Sequence, residues 1–185
     1  METINTALLN IKREDILPLF SHDEIQARIK DVAQQINKDL AGEEVCMICV
    51  LKGAVLFAMD LAKNLDMPLK MEFIRLSSYG TAKVSSGKVN AVDISLPDLN
   101  GKNVLIVEDI VDTGITARFL LDFINGNFKT KRTLFCSLLD KRCFRKTDVE
   151  PDYYCFEIDN KFIIGYGLDY EGYYRNLDYI GYVKL

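Results

Sequence analysis

VLIVEDIVDTGITA, at residues 104–117, is the stretch that decides the fold of this chain. Its apolar run ends in two adjacent carboxylates, Glu108 and Asp109, and an Asp-Thr-Gly turn follows. Helical spacing of apolar residues begins directly after the turn. A continuous apolar strand is typical of a parallel sheet that helices cover on both faces. The predicted elements are a strand over 103–108, a loop over 109–114 and a helix over 115–124.

Strands and helices alternate on both sides of this stretch. Ser21 and Glu24 form a capping box that begins a helix, and Gly42 predicts where it ends. Further strands are predicted at 45–51, 69–76, 89–95, 133–139, 153–158 and 179–183, with another helix at 54–65. The alternation predicts an α/β fold with a twisted, mainly parallel sheet, whose ligands bind at the carboxyl ends of the strands. The segments that follow buried strands are Lys52-Gly53, 108–116 and Asp140-Lys141.

Length and charge limit the classes of function. The 185 residues suit a single domain over 1–185. With 23 Lys and Arg against 27 Asp and Glu, the net charge is −4, which argues against a general binder of nucleic acid or of anionic membranes. The net charge does not exclude an anionic small substrate, because helix ends and a few cations can determine the electrostatic potential of one cleft. No apolar run approaches the ~18 residues of a membrane span.

The five cysteines predict a reducing environment. Cys46 and Cys49 form a CxxC, but it lies inside an apolar run and no second CxxC follows. Core packing is therefore favoured over zinc or redox chemistry. Free cysteines, and a beginning without the pattern of a secretory signal, predict a cytoplasmic location.

The polar residues of the 104–117 stretch predict a sugar-phosphate site. Two adjacent carboxylates at a strand end need water, a cation or hydroxyl groups, and a sugar diol with Mg²⁺ supplies these. Gly114 allows an unusual turn, while Thr113, Thr116 and the helix N-terminus form an anion site. Together these groups fit one ribose 5-phosphate. The alternative is an ordinary strand and turn, with Asp112 or Thr113 capping the helix.

This stretch resembles the signature of the phosphoribosyltransferases, and most closely the bacterial hypoxanthine (hypoxanthine-guanine) type. The resemblance extends from about Phe20 to the end of the chain. It is carried also by VLKGAV at 50–55, LSSYG at 76–80, LLDKR at 138–142 and KFIIGYGLDYEGYYRNL at 161–177. It implies a type I phosphoribosyltransferase fold with a small hood lobe, built from the N-terminal segment and the tail, and a flexible flap at about 77–88. It also implies a homodimer or homotetramer.

The resemblance implies transfer of a 5-phosphoribosyl group from phosphoribosyl pyrophosphate to hypoxanthine, and also to guanine, with Mg²⁺ as cofactor. Asp112 is then the proton acceptor at purine N7, and Lys141 donates to the exocyclic O6. Phe162 stacks on the purine, and Ile163 contacts it through its backbone. From the residues alone, helix capping by Asp112, a surface position for Lys141 and core packing of Phe162 stay open.

The donor-binding residues follow from the same resemblance. Glu108 and Asp109 bind the ribose diol and the metal, and the 5′-phosphate is bound by Thr113, Gly114, Ile115 and Thr116. Pyrophosphate is contacted by Lys52, Gly53 and Arg175, and Asp169 binds Mg²⁺ on pyrophosphate, while Ser78 and Tyr79 belong to the flap. A non-proline cis peptide bond is implied in the Lys52-Gly53 loop. A salt bridge between tail residues is the alternative for Asp169 and Arg175.

Two other functions use similar sequences. Regulators with this fold sense phosphoribosyl pyrophosphate and bind nucleic acid, and related transferases prefer xanthine or another base. The acidic net charge and the presence of Asp112, Lys141 and Phe162 favour the enzyme over the regulator. The sequence does not rank hypoxanthine, guanine and xanthine.

Overall fold

The structure, a computed structural model, describes residues 11–77, 90–93 and 95–183. In chain order its elements are β1 (Leu17–Phe20), α1 (His22–Asp39), β2 (Val45–Leu51), α2 (Val55–Ala62), β3 (Leu69–Ser77), β4 (Asn90–Asp93), β5 (Asn103–Val111), α3 (Ile115–Asn127), β6 (Arg132–Asp140), β7 (Tyr153–Glu157), β8 (Phe162–Ile164) and β9 (Ile180–Val183). Two short 3₁₀ turns lie at Arg13–Asp15 and Arg142–Phe144. No helix of the described ranges is long and apolar enough to cross a membrane.

The main sheet has the strand order β4-β3-β2-β5-β6-β7. Five neighbouring strands of this sheet run parallel to one another, namely β3, β2, β5, β6 and β7. The edge strand β4 is antiparallel to β3. This confirms the predicted parallel sheet. Of the strand predicted at 89–95, the described residues show β4 over Asn90–Asp93, which pairs with β3 at three positions.

Helices cover both faces of this sheet. One face packs against α1 and α2 through residues such as Ile29, Phe57 and Met47. The other packs against α3 through Leu120 and Ile106. Because alternate residues of a strand point to opposite faces, each apolar strand serves two cores, which explains the absence of polar alternation in the sequence.

The cysteine pair of β2 belongs to these cores, as predicted. Cys46 lies in the α3-side core and Cys49 in the α1-side core, and both thiols are free. Burial, aided by the Asp109 carboxylate, raises the pKa of Cys49 to about 12. Neither residue therefore supplies a thiolate near neutral pH.

Strand β5 is longer than predicted, which corrects the position of the acidic pair. Hydrogen bonding to β6 continues to Val111, opposite Asp140, so Glu108 and Asp109 lie within the strand. The predicted loop at 109–114 is reduced to 112–114. The sequence pattern missed this because polar residues at a strand's end resemble a loop, whereas the neighbouring strand determines where pairing stops.

A second sheet joins the N-terminal segment to the tail. Its order is β1-β9-β8, and all its pairs are antiparallel. Strands β1 and β8 were not predicted. They are four and three residues long, and β1 depends on a partner at the far end of the chain, with Leu17 opposite Tyr182.

Candidate active site

The acidic pair of β5 is buried at the carboxyl end of the main sheet. Burial raises the pKa of Glu108 well above its ordinary value, and the adjacent Asp109 charge adds to this. Burial also raises the pKa of Asp109 to about 6, although hydrogen bonds from the backbone and the charge of Arg175 oppose the rise. Neither carboxylate forms a salt bridge with a described cation. A ligand that brings hydroxyl donors or a positive charge would relieve this cost.

The acidic pair could hold a metal only together with a ligand. In the parts of the chain that the structure describes, no group of three or more His, Cys, Asp or Glu side chains is arranged as a metal site. Mg²⁺ is commonly held by one or two carboxylates plus substrate phosphates. Glu108 and Asp109 fit that donor set.

The loop at 112–114 presents backbone N–H groups to a small cavity. Gly114 has a left-handed φ of 77° and is the residue before α3. The Ile115 N–H lies 3.4 Å from Thr113 Oγ1, whereas the N–H groups of Thr113, Gly114 and Thr116 have no acceptor among the described residues. They lie at a cavity of about 90 Å³, beside the N-terminus of α3. This arrangement suits a phosphate.

Asp112 does not cap α3: the residue before the helix is Gly114, and the side chain that accepts from the first helical N–H, that of Ile115, is Thr113. Its Oδ1 is buried and has no hydrogen-bond partner in the described chain, while its Oδ2 lies 3.6 Å from Lys141 Nζ. The Lys141 side chain is only 10% exposed, and its Nζ also lies 3.4 Å from the Lys161 carbonyl oxygen. The surface alternative for Lys141 is therefore wrong. The structure therefore places the Asp112 carboxylate, through Oδ2, beside a buried ammonium.

Phe162 lies at the surface of the second sheet. Its side chain is 37% exposed and contacts Tyr170 edge to face, with 5.8 Å between ring centroids. The neighbouring Ile163 points into the core. Core packing therefore does not explain Phe162, because part of this aromatic residue is open to solvent.

The loop after β2 approaches the acidic pair very closely. The cis peptide bond of this loop joins Leu51 to Lys52. A Cβ at Gly53 would overlap the Asp109 carboxylate, and a Cβ at Gly167 would overlap the Gly53 carbonyl oxygen. Glycine at both positions therefore lets the loop fit between β5 and the tail. Here lies a cavity of about 200 Å³, lined by Val50, Leu51, Lys52, Gly53, Leu76, Glu108, Asp109, Thr116, Asp169 and Arg175.

Asp169 and Arg175 form the salt bridge that was the alternative to ligand binding. Arg175 also donates to the Gly167 carbonyl oxygen at 2.6 Å, and Asp169 accepts from the Gly172 N–H at 2.6 Å. Both side chains nevertheless line the cavity that contains the acidic pair. The ion pair holds them at this position, and their roles toward a ligand stay predictions.

Ser78 and Tyr79, with the flap at about 77–88, lie outside the described residues apart from the backbone of Ser77.

A larger cleft of about 680 Å³ lies at the opposite, amino-terminal edge of the sheet, between Asn100 and Lys129. Its lining holds no carboxylate or histidine, so we place the candidate site at the smaller cavities.

A buried tyrosine that the sequence analysis missed anchors the tail. The Tyr166 hydroxyl donates to Asp60 on α2 at 2.7 Å, and Gln26 on α1 donates to the same carboxylate at 2.8 Å. Burial alone would raise the pKa of Asp60, but hydrogen bonds from Lys63, Tyr166 and Gln26 outweigh it and lower the pKa. The segment that carries Gly167 and Asp169 is thereby tied to both helices.

Tyr166→Phe should lower the free energy of unfolding by about 1.5–3 kcal/mol, because a buried hydrogen bond to a charged group is lost. Urea unfolding measures this change. Tyr173→Phe is the matched control, since that side chain is 54% exposed and its hydroxyl has no partner among the described residues. Equal stability of the two variants would show that the Tyr166–Asp60 contact does not anchor the tail.

Comparison with known proteins decides the family. A model of the phosphoribosyl transferase domain matches residues 19–171. The chain belongs to the phosphoribosyl transferase family. This phosphoribosyltransferase is 42% identical over 166 residues to the hypoxanthine-guanine phosphoribosyltransferase of Streptococcus thermophilus, covering 90% of the chain and 92% of that protein. It is 40% identical to the protein of the same name from Bacillus subtilis, with the same coverage.

Solved structures show the same fold for this phosphoribosyltransferase. A hypoxanthine phosphoribosyltransferase from Staphylococcus aureus superposes with a TM-score of 0.87 at 34% identity, over 98% of this chain and 97% of that one. A hypoxanthine-guanine phosphoribosyltransferase from Bacillus anthracis gives a TM-score of 0.83 at 39% identity, over 91% and 96%. The predicted type I phosphoribosyltransferase fold is thus confirmed.

Proposed function

We propose that this enzyme transfers the 5-phosphoribosyl group from phosphoribosyl pyrophosphate to hypoxanthine and guanine, releasing pyrophosphate and forming IMP and GMP. The observation that carries the proposal is the pair formed by Asp112 and Lys141. Asp112 Oδ2 lies 3.6 Å from the buried Lys141 ammonium, and Lys141 Nζ also lies 3.4 Å from the carbonyl oxygen of Lys161, the residue before Phe162. A 6-oxopurine offers a proton at N7 and an acceptor at O6, which match these two groups.

The donor would occupy the two cavities beside the acidic pair, which share Glu108 and Thr116 in their linings. Glu108 and Asp109 would bind the ribose diol and Mg²⁺, and the N–H groups and hydroxyls over 113–116 would bind the 5′-phosphate. Asp169, Arg175 and the loop of Lys52 and Gly53 would face pyrophosphate from the other side of the cavity. Their shared lining of one cavity supports this arrangement.

The acceptor would lie between the loop and the second sheet. Phe162 would offer a ring face for stacking, and Ile163 would contact the base through its backbone. Lys141 would donate to O6, and the amino group of adenine cannot accept that bond. We therefore expect discrimination against adenine, since a buried donor left without an acceptor is costly.

The reaction breaks the bond between C1 and pyrophosphate and forms a bond from C1 to the purine nitrogen. Its transition state has oxocarbenium character, as in other glycosyl transfers. Asp112 would accept the N7 proton as positive charge develops on the base, and Arg175 would stabilise the leaving oxygens. Mg²⁺, when bound, neutralises part of the pyrophosphate charge. A flap at about 77–88, including Ser78 and Tyr79, would exclude water during transfer.

The wider setting is part of the same proposal. The second sheet would serve as the hood over the purine, and the domain would act as a homodimer or homotetramer. All five cysteines are free thiols, which supports a reducing cytoplasm.

A purine panel tests the proposal. Pyrophosphate release is measured with phosphoribosyl pyrophosphate and hypoxanthine, guanine, xanthine or adenine, at one fixed Mg²⁺ concentration and again with a chelator. We expect kcat/KM for hypoxanthine to exceed that for adenine by at least about 10⁴-fold, because the adenine complex leaves a buried donor unpaired. We also expect loss of turnover with the chelator. Binding of phosphoribosyl pyrophosphate without turnover on any purine would instead identify a sensing protein, and a preference for xanthine would change the substrate.

A further inference from the structure

The carbonyl groups at the end of β5 and in the loop at 112–114 accept hydrogen bonds from residues that follow β6. Most of these donors belong to Arg145 and Lys146, which lie outside the sequence motifs. The Val111 carbonyl oxygen accepts from the Lys141 N–H at 2.9 Å and from Arg145 Nη2 at 3.2 Å. The Asp112 carbonyl oxygen accepts from Arg145 Nε at 3.1 Å. The Thr113 carbonyl oxygen accepts from the Lys146 N–H at 2.9 Å. Three successive carbonyls therefore point toward this segment.

The side chain of Arg145 is buried and is not a surface cation. Only 9% of it is exposed. Besides the two loop carbonyls, it donates to the Val149 carbonyl oxygen and to the fully buried Asp140 carboxylate. A planar guanidinium can direct N–H groups at four acceptors at once, whereas a lysine ammonium has three donors and no fixed fork.

Contacts at Gly114 extend the same interface. A Cβ at Gly114 would overlap Thr147 Oγ1 and would lie 2.9 Å from Arg145 Cδ. The loop and the 145–147 segment are therefore packed backbone against side chain. Because the C=O and N–H of one peptide point in opposite directions, binding of the Asp112 and Thr113 carbonyls leaves the N–H groups of Thr113 and Gly114 on the other side, and both residues line the cavity.

We infer that Arg145 is a positioning residue for both substrates, which rests on the proposed function for the identity of those substrates. By holding the Val111 and Asp112 carbonyls, it turns the loop amides toward the 5′-phosphate and fixes the backbone that carries the Asp112 carboxylate. Asp140 anchors the guanidinium and directly precedes Lys141. One buried ion pair thus joins the phosphate loop to the strand end that recognises the purine.

Arg142 binds the same carboxylate as Arg145 and is the comparison for it. Arg142 binds the other oxygen of the same Asp140 carboxylate at 2.7 Å, but its side chain is 46% exposed. Within the described residues its further contacts are to Glu150, Glu157 and the ring of Tyr154, and none is to the loop. Arg142 therefore provides a control with the same charge and the same partner.

The test compares Arg145→Lys with Arg142→Lys by calorimetric binding of ribose 5-phosphate, together with steady-state kinetics and thermal unfolding. Loss of two hydrogen bonds to the loop should weaken ribose 5-phosphate binding by about tenfold in Arg145→Lys. The KM for phosphoribosyl pyrophosphate should rise by a similar factor, with a smaller rise for hypoxanthine. Arg142→Lys should stay within about twofold on every measure, because lysine keeps a positive charge beside Asp140 and Arg142 has no contact with the loop among the described residues.

The outcomes separate this inference from the proposed function. Folded Arg145→Lys that binds ribose 5-phosphate as tightly as the unsubstituted protein overturns the inference, even if the enzyme salvages purines. Weakened binding in a protein without purine transfer supports the inference and removes the proposed function. An unsubstituted protein that does not bind ribose 5-phosphate contradicts both. If Arg145→Lys lacks a cooperative unfolding transition, Asp140→Asn replaces it, and normal binding by that variant overturns the inference.

Discussion

Asp112→Asn should lower kcat for hypoxanthine by about two to four orders of magnitude, the range that a positioned acid–base group contributes. The amide keeps the size of the side chain but cannot accept the N7 proton. The folded state should persist, because the Asp112 carboxylate neither caps α3 nor makes a hydrogen bond with a described residue. The Lys141 ammonium, 3.6 Å away, loses a charge partner and keeps the Lys161 carbonyl oxygen.

The measurement is kcat at saturating phosphoribosyl pyrophosphate and hypoxanthine, with thermal unfolding of the same samples. Asp122→Asn is the matched control, since Asp122 lies on the exposed side of α3 and, among the described residues, pairs with Arg118 alone. That variant should keep kcat within about twofold, because exposed pairs contribute little to stability. A folded Asp112→Asn variant with unchanged turnover would remove Asp112 from the catalytic role.

Gly53→Ala should lower kcat/KM for phosphoribosyl pyrophosphate by at least about a hundredfold, because a misplacement of about 1 Å in the group that positions the substrate costs that much. The new methyl group would occupy the space of the Asp109 carboxylate. The loop cannot retreat, since the Gly53 carbonyl oxygen already lies against Gly167. Either Asp109 must rotate away from the cavity or the loop must separate from the tail.

Gly126→Ala is the control for this substitution. Gly126 lies in α3, and an added Cβ there meets nothing within 4 Å. We expect it to raise the free energy of unfolding by about 0.5–1 kcal/mol and to leave kcat/KM unchanged. Binding of phosphoribosyl pyrophosphate by Gly53→Ala at the unsubstituted affinity would show that the close approach to Asp109 is not needed.

Local pattern was sufficient for most of the main sheet. The apolar runs of β2, β5 and β6 and the capping box of α1 carry their signals within a few residues, so their types and approximate bounds were predictable. The capping box is present as predicted, with the Ser21 N–H donating to Glu24 at 2.8 Å. By contrast, the end of β5 was wrong by three residues, because pairing with β6 decides it.

Local pattern likewise predicted some residues of the candidate site and missed others. Residue types within one motif predicted the acidic pair and the anion loop, and resemblance over several motifs supplied the roles of Asp112, Lys141 and Phe162. The partners that hold them were not predictable from local pattern. Arg145 resembles any surface cation in a charged run, and Tyr166 resembles any tail tyrosine, until the fold brings them against the loop and Asp60.

By itself the sequence determined an α/β domain, because periodicity is a local property of the chain, and the resemblance of its motifs indicated the phosphoribosyltransferase type. Only the tertiary structure decided that Lys141 is buried beside Asp112, that Gly53 has no room for a side chain, and that Arg145 binds the carbonyls of the phosphate loop. These properties depend on groups distant in sequence. Burial, close backbone approach and hydrogen-bond pairing arise only when the strands and the tail pack together.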